Sequence, residues 1–563
     1  MRAGRFGPTR PALAGDERLA RLLAYGVAGL LLVFLAWPLS AILAKALQSA
    51  DGRFVGLANL RQVLGEPRVL EAAGNSLLLA ALVTALVVPL ALGFAQALCR
   101  SRVPGRAAFK VIALSPLLTP SLLPAISLVY LFGHQGLLKG WLGGHSIYGP
   151  LGIVLGEAFY TFPYAVLVLQ TALAVADGRL YEAAEALGAG RVRRFFTVTV
   201  PTIRYGLVSA AIMVFTLVIT DFGVPVVVGG HTNVLALEAY KQVLGQQNFQ
   251  KGAAVGLVLL VPAAMACLAE RWLARGRAGA LSGASVAYRP RPSRVRDGAL
   301  WLLCAGVSAF LLAMLGTAVA ASFMKLWPYH LDFTLAHYDF ANMDGGGWRA
   351  FRNSLSLGAL TAAGGCAVVF GGAYLVAKTP APRAAAAVIR VLALVPMAVP
   401  GLVLGLGYVF CFNRPDNPLH GLYGTLAILV VSTVAHFYTT AHLALMTSLR
   451  QIDPEVEAVA RSLRRPWWTT CRRVTVPITL PALLDVARFL FVSAMTTVSC
   501  VIFLYTPDTV LASVAVLNMD DAGDVAPAAA MATLIVASAL AVTLIANLAG
   551  WMLNRRTQAW RRA

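Results

Sequence analysis

Tyr181-Glu-Ala-Ala-Glu-Ala-Leu-Gly188, running on to Thr197-Val-Thr-Val-Pro201, returns as Glu457-Ala-Val-Ala-Arg-Ser-Leu463, running on to Val474-Thr-Val-Pro477. Leu187 and Leu463 are 276 residues apart, and so are Pro201 and Pro477. The repeat reaches further. Asn75-Ser-Leu-Leu-Leu is matched by Asn353-Ser-Leu-Ser-Leu, Pro116-x-x-x-Pro120 by Pro396-x-x-x-Pro400, and Tyr148-Gly-Pro-Leu by Tyr423-Gly-Thr-Leu, with offsets of 278, 280 and 275. A whole body of sequence is duplicated with small insertions. A polar loop kept in both copies points to one contact made twice.

The surroundings of these loops are apolar. Of 563 residues 58% are hydrophobic and 13% charged, and mean hydropathy is +0.73. A soluble domain carries about 25% charged residues to make its polar skin. The apolar residues here come in blocks of about 20 or more, long enough to cross a bilayer as helices that satisfy their own backbone hydrogen bonds. The reading is an all-α polytopic membrane protein with about twelve spans. The first six lie near 22–46, 74–98, 108–133, 149–174, 204–228 and 252–272. The second six lie near 298–323, 353–377, 386–412, 423–447, 482–506 and 526–552. Six spans separate equivalent points, an even number, so the halves are parallel repeats about an axis along the membrane normal.

Charge sets the orientation. The net charge of +21 suggests nucleic acid or anionic lipid, but most Lys and Arg sit in alternate loops and at the two ends. That positive-inside bias places both termini and the duplicated loop in the cytoplasm. The basic tail Asn554-Arg-Arg to Arg561-Arg562 meets lipid headgroups rather than nucleic acid. The expected organisation is a basic N-terminus (1–21), a first half (22–272, loop 178–201), a linker rich in Arg, Gly, Ser and Pro (273–297), a second half (298–552, loop 451–477) and a tail (553–563). The linker has the composition of a flexible tether, and the N-terminus that of an uncleaved anchor. Seven cysteines form no Cys-x-x-Cys pair, so neither a disulfide framework nor a metal site is expected.

The loop itself is longer than neighbouring spans need. Strong helix formers run from Glu182 to Leu187, Gly188 and Gly190 stop the helix, and Arg191–Val198 reads as a second short helix before Pro201 starts the next span. Ala183 and Ala184 would let a partner's backbone approach. Leu187, Phe195 and Phe196 offer apolar anchors and Glu182 a charge. A single such loop would read equally as an interfacial helix resting on headgroups; two copies at equivalent places favour protein docking.

These residues resemble a known signature. Glu-Ala-Ala-x3-Gly-x9-(Ile/Val)-x-(Leu/Val)-Pro is the EAA motif of binding-protein-dependent ABC importer permeases, and Glu182, Ala183, Ala184, Gly188, Val198 and Pro201 fit it. The resemblance implies a fold of two six-helix MetI-like, type I permease repeats in a bacterial cytoplasmic (inner) membrane. It also implies that each loop forms a coupling helix seated in an ABC ATPase subunit, and that a substrate-binding protein works on the outer side. The second copy departs: Ala458 stands where the Glu belongs, Glu457 is one residue early, and Arg464 replaces the Gly, while Leu463 and Pro477 remain. The two ATPase contacts are therefore expected to be unequal. Nearly the whole chain resembles fused permeases of the ferric iron type. Thr220-Asp-Phe-Gly-Val-Pro-Val-Val-Val-Gly-Gly230, Tyr240–Phe249 and Ser513–Gly523 resemble 2-aminoethylphosphonate permeases, which makes that phosphonate the first expected solute and ferric iron the alternative.

No nucleotide site is visible, since none of the seven Lys follows a Gly as a P-loop requires. No cofactor is expected in the chain, and ATP and Mg2+ belong to the partner. Charged residues within spans are candidates for the pathway. Asp221, beside Phe222-Gly223 and Pro225, reads either as a pathway carboxylate that meets a substrate ammonium or as a cap on broken backbone. Glu157 and His436 are further pathway candidates, although a lone His is more often a satisfied core residue. Asp485 and Arg488 read as a structural pair, and the prolines at 116, 120, 124, 396 and 400 as kinks or ends of spans three and nine. A twelve-span secondary transporter is the distant alternative; it would not need a long helical loop between the fourth and fifth spans of each half.

Overall fold

The computed structural model describes residues 12–277, 288, 290, 292–341 and 345–557; parts of the expected N-terminus, linker and tail lie outside them. Among the described residues ten helices are long and apolar enough to cross a membrane. They are Glu17–Ala46, Pro67–Arg100, Pro150–Ala174, Arg191–Thr220, Phe249–Glu270, Arg294–Ser322, Gly347–Lys378, Leu426–Arg450, Trp467–Thr496 and Val525–Leu553. Two further spans are broken. Arg106–Leu118 and Leu122–Phe132 meet at 105°, and Arg383–Ala398 and Gly401–Phe412 at 117°. Counting each bent pair once gives twelve, numbered here in chain order, so the broken ones are spans three and nine. The prolines explain the breaks. Pro120 and Pro400 lie in the gaps and cannot donate to a helical ladder, and each disfavours helical backbone in the residue before it.

Spans five and eleven differ from expectation. Neither is preceded by a separate second helix on the membrane face. Each begins at Arg191 or Trp467 and runs on for 30 residues to Thr220 or Thr496, so Pro201 and Pro477 lie inside the helix rather than at its start. A π turn makes this possible. Phe195–Thr199 and Cys471–Thr475 are π-helical, each ending two residues before the proline, and Leu32–Ala36 precedes Pro38 in the same way. The wider turn relieves the clash between a proline ring and the carbonyl four residues back.

Each half then folds back. A short helix, Leu235–Tyr240 in the first half and Ala512–Asp521 in the second, returns toward span two or eight. Its first N–H has no partner in its own helix. Ser76 Oγ accepts from Leu235 N–H at 2.9 Å and Ser354 Oγ from Ala512 N–H at 2.8 Å. The neighbouring amides complete the clasp: Asn75 Nδ2 donates to the Asn233 carbonyl and Asn353 Nδ2 to that of Val510, each at 3.0 Å. This is the work of the repeated Asn-Ser-Leu.

The first helix of each half packs on the other half. Span one lies against spans eight, nine and ten, and span seven against spans two and three. Ala24, Ala28 and Leu31 share a buried cluster with Val369, Ala373, Ile389 and Tyr438. Phe34 stacks on Phe412 at 5.9 Å between ring centroids. Gly407 permits the approach, because a Cβ there would sit 2.6 Å from the Pro38 carbonyl oxygen. Between helices in lipid such close packing takes the place of the hydrophobic drive that water supplies. The connection from span seven to span eight adds an antiparallel pair, β1 (Met324–Leu326) and β2 (His330–Phe333), on the face away from the duplicated loops.

Candidate functional site

The duplicated loops are built from the same parts. Asp177 precedes the first loop helix, Gly178–Ala186, and its Oδ1 accepts the Arg179 N–H at 3.0 Å. Asp453 precedes Glu455–Ser462 and accepts the Glu455 N–H at 2.9 Å. A carboxylate at this place satisfies an orphan donor and opposes the positive end of the helix dipole. The far ends match as well. Ala189 N–H reaches the Ala184 carbonyl and Arg465 N–H the Ala460 carbonyl, both at 2.9 Å. This closure requires a left-handed residue, and Gly188 supplies it with φ +74° and Arg464 with φ +51°. The replacement of Gly by Arg changes the residue and keeps the turn.

Both helices present an apolar tip. Leu187 is 86% exposed and Leu463 67%. Glu182, Ala183, Gly188, Ala458, Pro201 and Pro477 are exposed beside them, and Ala184 and Val198 are half-buried. Val192 and Trp468 at equivalent positions extend the two patches. Phe195 packs against Phe196 with ring centroids 5.0 Å apart; Phe195 is half-buried and Phe196 exposed. Arg194 pairs with Glu185 at 3.1 Å and ties the loop helix to the start of span five.

The roots of the loops hold the main correction. Glu457 does not face outward as a displaced EAA glutamate. Its carboxylate pairs with Lys378 at 3.0 Å, with both side chains largely buried, and Lys378 Nζ also donates to the Ile452 carbonyl at 3.0 Å. The residue equivalent to Glu457 in the first half is Tyr181, and that equivalent to Lys378 is Arg100. The Arg100 guanidinium lies 4.4 Å from the Tyr181 ring centroid and donates to the Leu173 carbonyl at 2.9 Å. Tyr181 Oη in turn donates to Thr199 Oγ1 at 3.0 Å. A cation at the end of span two or eight therefore holds each loop, through a ring face in one half and a carboxylate in the other.

Deeper in the first half, the breaks of spans three and five meet. Asp221 stands at the end of span five, and its Oδ2 accepts the Val224 N–H at 2.9 Å, which caps the broken backbone. The fully buried carboxyl of Glu157 on span four faces Asp221, and neither Glu157 oxygen has a hydrogen-bond donor among the described residues. Gly223 lies against Ser121 Oγ in the bend of span three. The second half repeats this contact with the residues exchanged: Gly401 in the bend of span nine lies against Ser499 Oγ. His436 is packed there too, with its Cε1 3.1 Å from where a Gly401 Cβ would stand and its Nδ1 buried without a hydrogen-bond partner among the described residues. Ser432 and Thr497 occupy the positions of Glu157 and Asp221. So Glu157 and Asp221 are brought together, and His436 belongs to the other half. Asp485 and Arg488 pair at 3.4 Å, and Arg488 also reaches Asn547.

Several residues escaped the reading of the sequence. Arg100 and Lys378 share the 278-residue offset of the Asn-Ser-Leu repeat, and Asp177 and Asp453 the 276-residue offset of the loops; those spacings were the available signal. Asp520 and Asp521 close the returning helix of the second half, where burial and the neighbouring Asp521 push the Asp520 carboxyl up to about 6. Asp520 lies within electrostatic reach of Tyr148, and Asp521 of Tyr240, both in the first half. No local pattern marks these two.

Comparison with known proteins agrees with this architecture. The model of the family described as binding-protein-dependent transport system inner membrane component matches twice, over residues 87–278 and 369–558. Each match begins inside span two or eight and omits the exchanged first helix. The ferric transport system permease protein FbpB of Actinobacillus pleuropneumoniae is 26% identical over 536 residues, spanning 92% of this chain and 76% of that protein. FbpB 1 of Haemophilus influenzae is 27% identical over 501 residues, 85% of this chain and 77% of the relative. The molybdenum transport system permease protein ModB of Escherichia coli is 28% identical over 208 residues, 36% of this chain but 91% of its own length, as expected where one protein holds a single half. With both halves matched over more than half of its length, the chain belongs to the binding-protein-dependent inner membrane components, as a fused, two-half permease of an ABC importer.

Proposed function

We propose that the chain forms the translocation pathway of an importer in which ATP is hydrolysed by two separate ATPase subunits, one docked at each duplicated loop, while a substrate-binding protein delivers solute on the opposite face. The observation that carries this reading is the construction of the two loops. Two helices with equivalent caps, equivalent left-handed turns and equivalent exposed leucines lie on one membrane face, and Glu182, Ala183, Ala184, Leu187, Gly188, Val198 and Pro201 of the first, with Ala458, Leu463 and Pro477 of the second, form the docking surfaces. Both termini share that face, in the cytoplasm. ATPase closure then shifts the permease only through contacts that differ between its two states.

For the solute we infer ferric iron. The naming of relatives matched across both halves supports it, and among those reported above none is named for a phosphonate. The acidic residues support a cationic cargo: Asp520 and Asp521 toward the outer side, then Asp221 and the fully buried Glu157 within the first half, offer carboxyl oxygens near the inferred route. His436 is the pathway candidate of the second half, where Ser432 and Thr497 stand at the positions of Glu157 and Asp221. The deciding measurement is binding by the partner substrate-binding protein, followed by uptake into proteoliposomes, with ferric iron and 2-aminoethylphosphonate compared. Ferric uptake that depends on ATP and on Leu187 is expected. Phosphonate-selective uptake would overturn the solute, and gradient-driven uptake by the chain alone would overturn the mechanism.

A further inference from the structure

The first loop has a third partner, contributed from between the halves. Tyr288 belongs to the segment between the halves. Its ring centroid lies 4.7 Å from the Arg100 guanidinium, on which Tyr181 also packs at 4.4 Å, and the two tyrosine rings approach to 4.9 Å at 57°. Arg100 thus meets two adjacent ring faces in a three-way contact while it donates to the end of span four. The same segment is fastened a second time, since Arg102 Nε donates to the Pro290 carbonyl at 3.1 Å. A guanidinium that meets two aromatic rings in a desolvated setting is held more firmly than by one ring alone. The second loop achieves its hold within its own half through Lys378, Glu457 and Ile452.

We propose that Tyr288 is a positioning residue for coupling. Tyr288, with Pro290 beside it, packs on the root of the first loop and fixes its angle through Arg100 and Tyr181. The fusion of two halves into one chain then does more than tether them: it gives the first loop a brace contributed by the chain leading into the second half. Movement of span seven, which follows this segment and packs on the first half, would reach the first loop through the same brace. The proposal rests on the reading of the loops as ATPase-docking elements, and its test separates the two.

The test uses the full chain assembled with its ATPase and binding protein in lipid, as wild type and as Tyr288→Ala, Tyr288→Phe and Leu187→Asp. Amide hydrogen exchange is followed at Gly178–Leu187 and at Glu455–Ser462, together with solute moved per ATP hydrolysed. The expected result for Tyr288→Ala is roughly three- to fivefold faster exchange at the first loop, no change at the second, and a fall of about half in solute moved per ATP. Tyr288→Phe keeps both ring contacts and should match wild type. Equal acceleration at both loops, no acceleration at either, or a Phe variant that behaves like Ala would overturn the brace. Faster exchange with an unchanged solute-to-ATP ratio, while Leu187→Asp abolishes uptake, would overturn its role in coupling. If Leu187→Asp also leaves uptake unchanged, the docking reading falls, and the exchange data alone decide the brace.

Discussion

The first and second loops share a skeleton and differ in how they are anchored and finished. Asp177 and Asp453 cap them alike, and Gly188 and Arg464 take the same left-handed turn. At the root, however, Arg100 meets the faces of tyrosines, while Lys378 is buried against a carboxylate. The difference teaches that a motif can lose residues without losing geometry, because caps and turns are set by backbone needs that several side chains meet. It also teaches that a glutamate near a signature position need not belong to it: Glu457 is an anchor, and the exposed face of the second loop carries Ala458.

Four measurements can break or sharpen this contrast. The largest effect is expected for Lys378→Met, which removes the buried cation that faces Glu457. The loss is about 3–5 kcal/mol, seen as melting or rapid exchange of the second loop while the first is unmoved. The paired change Lys378→Arg with Glu457→Tyr should restore much of it by importing the anchor of the first half. If Lys378→Met is silent, the two anchors are not what distinguishes the loops. Next comes Leu187→Asp, expected to lower uptake at least tenfold, or about 1.4 kcal/mol, without changing the amount inserted; Leu463→Asp should cost less. Equal losses would show that the divergent loop couples fully.

Exchanging the turn residues should give opposite signs. Arg464→Gly relieves a side chain held at positive φ and should stabilise the second loop by about 1 kcal/mol, whereas Gly188→Arg should weaken the first by a similar amount. Thermal unfolding and exchange both read this out. The smallest effect concerns Asp520, which has Val243 as its counterpart in the first half. Its carboxyl is raised to about 6, so the stability it contributes is full below the ordinary carboxylate range and is lost as pH rises through 6. Asp520→Asn should therefore raise the midpoint slightly at pH 7 to 8, on the order of a degree, and leave it unchanged near pH 3. A shift of the same size at both pH values would assign the effect to packing.

Much of the fold was legible because its signals are local. Apolar blocks gave the spans, and the prolines near 120 and 400 marked the breaks. The loop helices followed from helix formers that run to Gly188. The sequence places the starts of spans five and eleven too late, because Pro201 and Pro477 have the look of helix starts. A π turn lets the helix run through it, and hydropathy carries no trace of such a turn. Of the pathway candidates, Asp221 and Glu157 were found as charges in apolar stretches, but nothing in either stretch said that they face each other.

By itself the sequence determined that the chain is a helical membrane protein, duplicated in parallel, with one loop kept twice. Each of these rests on composition, period or spacing along the chain. Tertiary structure alone decided that spans one and seven cross to the opposite halves, that Glu457 turns inward to Lys378, and that Tyr288 closes over Arg100. Those outcomes depend on which surfaces meet between residues far apart in sequence. In a bilayer, where every span is apolar on all sides, hydropathy does not choose among them, and only close packing and the pairing of the few buried charges do.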